Sequence, residues 1–250
     1  IPHPSSLTPH PSSLIPHPHP CPCPRPHVST FTTLQTLDLS ENELWKLVET
    51  AAEWQRLCEA LGSNHTLTDL NLNNNKLGPQ GVRIAAHALR NAKGLKHLGF
   101  CFNEPGVEPA LADLLRAHPS LTCVEIVEAL DRHLPSRAKD DIGRALLENK
   151  ARKLGYLQCD VFTLTEETRS LTWPKEALTS DAVLLAGVLT TNTTLTTFNI
   201  APGATLENKA RSELGEALLH NIGSRIAFCN DFGLAPNVDT CEFDLSRTEL

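Results

Sequence analysis

Asp69, His97 and Cys123 are the residues best placed to do chemistry together, because each holds the same position in one of three matching stretches, LTDLNLNNNKL (67–77), LKHLGFCFNEP (95–105) and LTCVEIVEAL (121–130). If these stretches lie side by side as strands, roughly 4.8 Å apart, an acid, an imidazole and a thiol form a row. That is the order of a thiol nucleophile with its base and orienting acid. An open strand face, however, supplies no pocket, no oxyanion donors and no strained turn, and polar residues are expected on it in any case. No residue is therefore assigned a catalytic role, and the chain is expected not to be an enzyme.

Other chemistry is weaker. His17, His19, Cys21 and Cys23 have donor types that suit zinc or copper, but proline between the donors stiffens the chain and the i, i+2 spacing does not gather four ligands. No phosphate-cradling glycine loop, zinc-helix motif or paired CxxC is present, so neither a metal nor any other cofactor is expected. Two sequons, Asn64-His65-Thr66 and Asn192-Thr193-Thr194, fit attachment of a glycan. Both fall at the same place in their repeats, so the repeat accounts for them without sugar.

The elements that would position these residues follow from self-similarity at a period of 26 to 33 residues. LQTLDLSENEL (34–44), LTDLNLNNNKL and LKHLGFCFNEP align without gaps as LxxLxLxxN, and LTCVEIVEAL is a fourth copy lacking the asparagine. Looser copies follow in SLTWPKEAL (170–178), LTTFNIAPG (195–203), SRIAFCNDF (224–232) and the closing CEFDLSRTEL. Between them, apolar residues at i, i+3, i+4 and i+7 predict helices over 45–61, 79–89, 107–117, 140–149, 181–192 and 210–221. Trp45 and Trp54 fall near one face of the first, where partial core burial is expected. Each helix leaves with Asn or His three to five residues before the next strand, as in SNHTL, RNAKGL, AHPSL and TNTTL. A longer repeat relates 142–157 to 214–229 at an offset of 72, and anchors at Leu154 and Leu171 are too close to hold a helix between them, so an irregular connection is expected there.

LxxLxLxxN with a helix after each strand resembles the leucine-rich repeats of the ribonuclease-inhibitor-like class over most of residues 31–250. The resemblance implies an α/β solenoid with a curved parallel sheet on the concave face and helices on the convex face. It also implies a module that works by binding proteins. By analogy with the Ran GTPase-activating protein, a regulator of a small GTPase is the alternative, and a structural part of a larger repeat array is a further one. In this class the ninth-position asparagines, here Asn42, Asn75 and Asn103, hold backbone groups at the strand-to-loop bend.

Strict alternation places Leu34, Leu37 and Leu39, or Leu67, Leu70 and Leu72, inward, so the residues between them face out. Asp38, Asp69, Asn71, Asn73, His97, Cys123 and Glu125 are the candidate partner-binding residues, and Asn74 has no assigned role. This face is polar to weakly acidic, so a protein partner with a basic surface is its natural complement. Charge excludes more than it selects. Net charge is −7, and residues beyond the first thirty carry 21 − 29 = −8, which disfavours nucleic acid and anionic membranes. No apolar run approaches the roughly 18 to 20 residues that span a bilayer, and no small-molecule substrate is evident.

Residues 1–30 read as a disordered Pro/His-rich low-complexity tail, since ten of eighteen prolines lie in the first 28 positions. Residues 31–250 read as one leucine-rich-repeat domain. The chain opens on Ile1, contains no Met and ends on FDLSRTEL inside a repeat, so it reads as a fragment truncated at its C-terminus. Eight cysteines scattered singly suit reduced thiols and a cytoplasmic location.

Overall fold

Alternation builds the strands. A computed structural model of the chain describes residues 32–47, 50–103, 108–127, 134–149, 151, 154–201, 204, 207–221, 226 and 228–229. The proline-rich tail with its His17, His19, Cys21 and Cys23, and the closing CEFDLSRTEL, lie outside the described residues. The chain runs β1 (Thr36–Asp38), α1 (Leu44–Leu47), α2 (Ala51–Gly62), β2 (Asp69–Asn71), α3 (Gly78–Leu89), β3 (His97–Gly99), α4 (Glu108–Ala117), β4 (Cys123–Glu125) and α5 (Ser136–Glu148). It continues through β5 (Tyr156–Gln158), β6 (Thr163–Leu164), β7 (Ser170–Trp173), α6 (Thr179–Leu189), β8 (Thr197–Ile200), α7 (Asn208–His220) and β9 (Phe228–Cys229). Strands β1 to β6 form one sheet in sequence order and β7 to β9 a second, and every neighbouring pair is parallel except β5 with β6.

The fold is thus mixed α/β with mostly parallel strands, and each helix from α2 to α7 packs on the next. In β1 to β5 the middle residue is buried (Leu37, Leu70, Leu98, Val124, Leu157), as are the leucines three positions earlier (Leu34, Leu67, Leu95, Leu121, Leu154). One continuous hydrophobic core runs from Leu34 to Ile226. Parallel neighbours need a crossover that returns the chain to the same edge, and the intervening helices provide it.

Two elements differ from the sequence expectation. The helix expected over 45–61 is divided into α1 and α2, because Thr50 adopts an extended conformation and its side chain accepts a hydrogen bond from Glu53 N (3.4 Å), starting a new helix. Periodicity ran across this boundary because Trp45 and Trp54 are both apolar; Trp54 is buried with its Nε1 donating to the Gly81 carbonyl at 2.8 Å, whereas Trp45 lies partly exposed against Gly81. The connection between Leu154 and Leu171 holds no helix, but it is more ordered than expected. It folds as a β5–β6 hairpin closed by Cys159 N donating to the Phe162 carbonyl at 3.0 Å.

The helix layer is tightest beside this hairpin, where α6 is buried along nearly its whole length. A Cβ on Gly143 of α5 would stand 2.6 Å from the Val183 carbonyl, and one on Gly187 of α6 would stand 2.8 Å from Leu146 Cβ. Gly215, which matches Gly143 in the 72-residue repeat, has open space around it. Gly143→Ala should therefore destabilise the chain by ~2 kcal/mol through overpacking against backbone. Gly215→Ala should gain about 0.5–1 kcal/mol from helix propensity. Urea denaturation midpoints check both, and shifts of the same sign would contradict the close α5–α6 crossing.

Candidate functional site

The outward residues of five adjacent strands form two straight rows. Strand register aligns Thr36, Asp69, His97, Cys123 and Tyr156 in one, and Asp38, Asn71, Gly99, Glu125 and Gln158 in the other. Six of the seven predicted partner-binding residues (Asp38, Asp69, Asn71, His97, Cys123 and Glu125) line one shallow, open depression on this face. Asn73 stands just past the end of β2 and reaches the same surface: its Nδ2 donates to Glu125 Oε2 at 3.0 Å, and its Oδ1 accepts from Cys101 N at 2.6 Å. The span from Asn73 to Glu125 crosses β3 at Gly99, where a Cβ would stand 2.8 Å from Asn73 Oδ1. Glycine at that position lets the two side chains meet.

Several of these groups are committed locally. Asp38 Oδ1 accepts from Ser40 N (2.8 Å) and Asn71 Oδ1 from Asn73 N (3.0 Å), each turning the chain out of its strand. His97 Nδ1 lies 2.7 Å from Asp69 Oδ1. The third member of that row does not complete an activated thiol. Burial pushes the Cys123 thiol up to about 11, and the carboxylates of Glu125, Glu166 and Asp69 act in the same direction. A nucleophilic cysteine needs the opposite, a thiolate favoured near neutral pH. Tyr156 and Gln158 extend the rows and were missed by sequence reasoning, because the register of LGYLQC against the earlier copies depended on the unassigned hairpin.

The asparagine-rich stretch 71–75 divides by backbone geometry. Asn75 is fully buried: its Oδ1 accepts from Asn42 N (3.1 Å) and Leu44 N (3.3 Å), and its Nδ2 donates to the carbonyls of Leu39 (2.8 Å) and Leu72 (3.0 Å). Asn103 does the same one repeat on, accepting from Asn75 N (3.0 Å) and donating to Leu72 O (2.9 Å) and Phe100 O (3.2 Å). Asn42, at the N-terminal end of the series, is less buried and donates to Ser40 O at 2.8 Å. Asn74 sits in the left-handed region with φ 55°, as do Glu41 (60°) and Phe102 (56°) at the matching bends. Its place is therefore conformational, since asparagine tolerates that region better than most residues.

A second set of polar side chains lies at the helix exits. Asn64 Oδ1 accepts from Thr66 N (2.9 Å) and Leu67 N (2.8 Å), and Asn192 Oδ1 accepts from Thr194 N (3.1 Å) and Leu195 N (2.9 Å). His118 takes the same role through Nδ1, accepting from Ser120 N (3.3 Å) and Leu121 N (3.2 Å). Asn149 and Asn221 tie adjacent exits together, donating to the carbonyls of His118 (3.0 Å) and Asn192 (2.6 Å). RNAKGL departs from the pattern: Asn91 is exposed, and buried Ala92 takes the position, its carbonyl receiving Leu95 N at 2.9 Å.

Sequence reasoning also missed a buried charge cluster. Lys139 of α5 lies 2.6 Å from Asp181 Oδ1 of α6 and 3.0 Å from Asp160 Oδ2 of the β5–β6 turn, and all three side chains are at most 5% exposed. Burial opposes the lysine charge, but hydrogen bonds to Asp181 and Asp160 more than offset it and hold its pKa above the ordinary lysine value. Asp160 Oδ2 also accepts from Leu134 N (3.1 Å), and Asp181 Oδ2 from Leu178 N (2.6 Å). The available signal was a lysine in register with the apolar stripe of its helix, 139, 142, 143 and 146. Among the described residues no group of three or more His, Cys, Asp or Glu side chains is arranged to hold a metal ion.

No family model matches the chain, and no curated protein matches it either.

His118 makes one rung of the exit series sensitive to acid. Burial lowers its pKa to about 4, and its Nε2 lies beside the Leu89 carbonyl outside good hydrogen-bond geometry. The unfolded chain takes up this proton near pH 6.5 and the folded chain does not, so stability falls as pH drops from about 6.5 toward 4. Between pH 7.5 and pH 5 the wild type should lose about 2 kcal/mol that His118→Asn retains. Urea titrations at the two pH values check this, and equal losses in both proteins would contradict it.

Proposed function

We propose that this chain is a leucine-rich-repeat module of the ribonuclease-inhibitor-like class, and that the outward face of strands β1 to β5 is its concave binding surface for a protein partner. The observation that carries the proposal is the register of two polar rows across five parallel strands. Asp38, Asp69 and Glu125 put carboxylates on that face, and its strand residues include no lysine or arginine. A partner offering Lys or Arg side chains complements it, and such complementarity acts on encounter rate and register more than on raw affinity. The Asp69–His97 and Asn73–Glu125 contacts hold four of the candidate side chains in place before a partner arrives, which lowers the ordering cost of binding.

Asp38→Lys, Asp69→Lys and Glu125→Lys combined should weaken the proposed interaction at least tenfold without altering the melting temperature by more than a few degrees. The matching control reverses Glu59, Glu213 and Glu216 on α2 and α7. Quantitative capture from lysate, followed by titration of the captured protein against all three chains, gives the comparison. Equal affinity for the wild type and the strand-face variant removes this face as the binding surface.

A further inference from the structure

We infer that glycosylation at either sequon and folding are mutually exclusive: Asn64 and Asn192 are modification sites of the unfolded chain only, and this confines productive folding to a compartment without oligosaccharide transfer. The inference does not rest on the partner-binding reading. Asn64 is 1% exposed and Asn192 3% exposed, so neither amide has room for a sugar in the folded chain. Asn192 Nδ2, the atom that would carry the glycan, donates to the Gly155 carbonyl at 2.7 Å. The same neighbourhood leaves little space, since a Cβ on Gly155 would stand 3.2 Å from the carbonyl oxygen of Thr191, the residue before Asn192. Both side-chain oxygens hold the backbone N–H groups two and three residues on, so displacing either amide also frees a buried donor, Leu67 N or Leu195 N.

The sequons arise where both of their ends make hydrogen bonds within the fold. Asparagine supplies the exit rung, and the hydroxyl two residues later reaches the preceding repeat: Thr66 Oγ1 donates to Leu34 O (2.8 Å), Ser120 Oγ to Leu95 O (2.8 Å) and Thr194 Oγ1 to Thr165 O (3.4 Å). Asn and Thr at that spacing form the acceptor for transfer from a lipid-linked oligosaccharyl pyrophosphate. In that transfer the Nδ2–anomeric carbon bond forms, the bond from that carbon to pyrophosphate oxygen breaks, and the amide gives up one proton, with no change in oxidation state. A chain translocated before folding would receive a bulky, solvated group on a residue the core must enclose. The thiols point the same way: Cys58, Cys101, Cys123 and Cys159 are all free, and three of them are buried in the folded chain.

The chain itself supplies the test variant. His118-Pro119-Ser120 places proline between the exit residue and the hydroxyl, and proline there blocks acceptance of sugar. His65→Pro with Thr193→Pro keeps both asparagines and both threonines while removing both sequons. The full chain is fused to a cleavable secretion signal and expressed in eukaryotic cells, beside signal-free copies in the cytosol. The wild type should carry glycans at both sites, read by the mass shift on enzymatic removal. Its secreted, protease-resistant yield should be at least tenfold below that of the proline variant, with equal yields in the cytosol. If the proline variant is unfolded in the cytosol, Thr66→Val with Thr194→Val takes its place with the same expected result. Secretion of a folded wild type, with glycans or with bare asparagines, overturns the inference. So does a sequon-free variant that folds in the cytosol yet fails as badly as the wild type in the secretory route.

Discussion

The backbone groups freed at every bend must be paired inside the core, and the structure depends on side-chain amides that do this. A strand of three residues cannot satisfy the amides and carbonyls that follow it, and a buried unpaired group costs about 1–3 kcal/mol. At the strand ends, Asn75 and Asn103 bridge carbonyls of their own repeat and the one before, and Asn75 accepts two backbone N–H groups from the preceding bend and Asn103 one. At the helix exits, Asn64, His118 and Asn192 cap the turn into the next strand. Each such residue belongs to one repeat and bonds to its neighbour as well as itself in the best-paired cases. Stability on this account is shared between adjacent units rather than held within one.

Because the amides and leucines take the inner positions, the outward row is free to vary. That freedom is visible in the sequence, where Thr36, Asp69, His97, Cys123 and Tyr156 share one row and have little chemistry in common. In the same row, burial and nearby carboxylates disfavour the Cys123 thiolate. Where the sheet is interrupted after β6, continuity passes to the helices. The Gly143–Gly187 approach and the Lys139 bridge to Asp160 and Asp181 hold α5, α6 and the hairpin together. Removing one partner of such a buried ion cluster leaves an uncompensated charge, typically a loss of about 3–5 kcal/mol.

Much of the α/β order was legible from apolar spacing, because the apolar residues that define β1 to β4 keep one spacing within each copy and helical periodicity fills the gaps. The parallel register of Asp69, His97 and Cys123 followed from aligning those leucines. What could not be read was decided by contacts between repeats. The division of 45–61 turned on the extended backbone of Thr50, which the apolar pattern spans without interruption. The burial of Lys139 could not be read because its two carboxylates come from positions 160 and 181, distant in sequence. Ala92 displaced Asn91 from the exit position because one residue of offset turns a side chain from core to solvent, which residue type alone does not reveal. The hairpin that carries Tyr156 and Gln158 had no earlier copy to be aligned with.

Amide hydrogen exchange tests the claim about bend pairing most directly. The N–H groups of Asn42, Leu44 and Asn75 bond only to asparagine side chains one repeat away, whereas Leu39 N and Leu72 N bond to strand carbonyls of Asn71 and Gly99 at 2.9 Å. All five should exchange together, through global unfolding alone, with one shared dependence on denaturant. Exchange of the three bend amides at loop rates, while the strand amides stay protected, would contradict it.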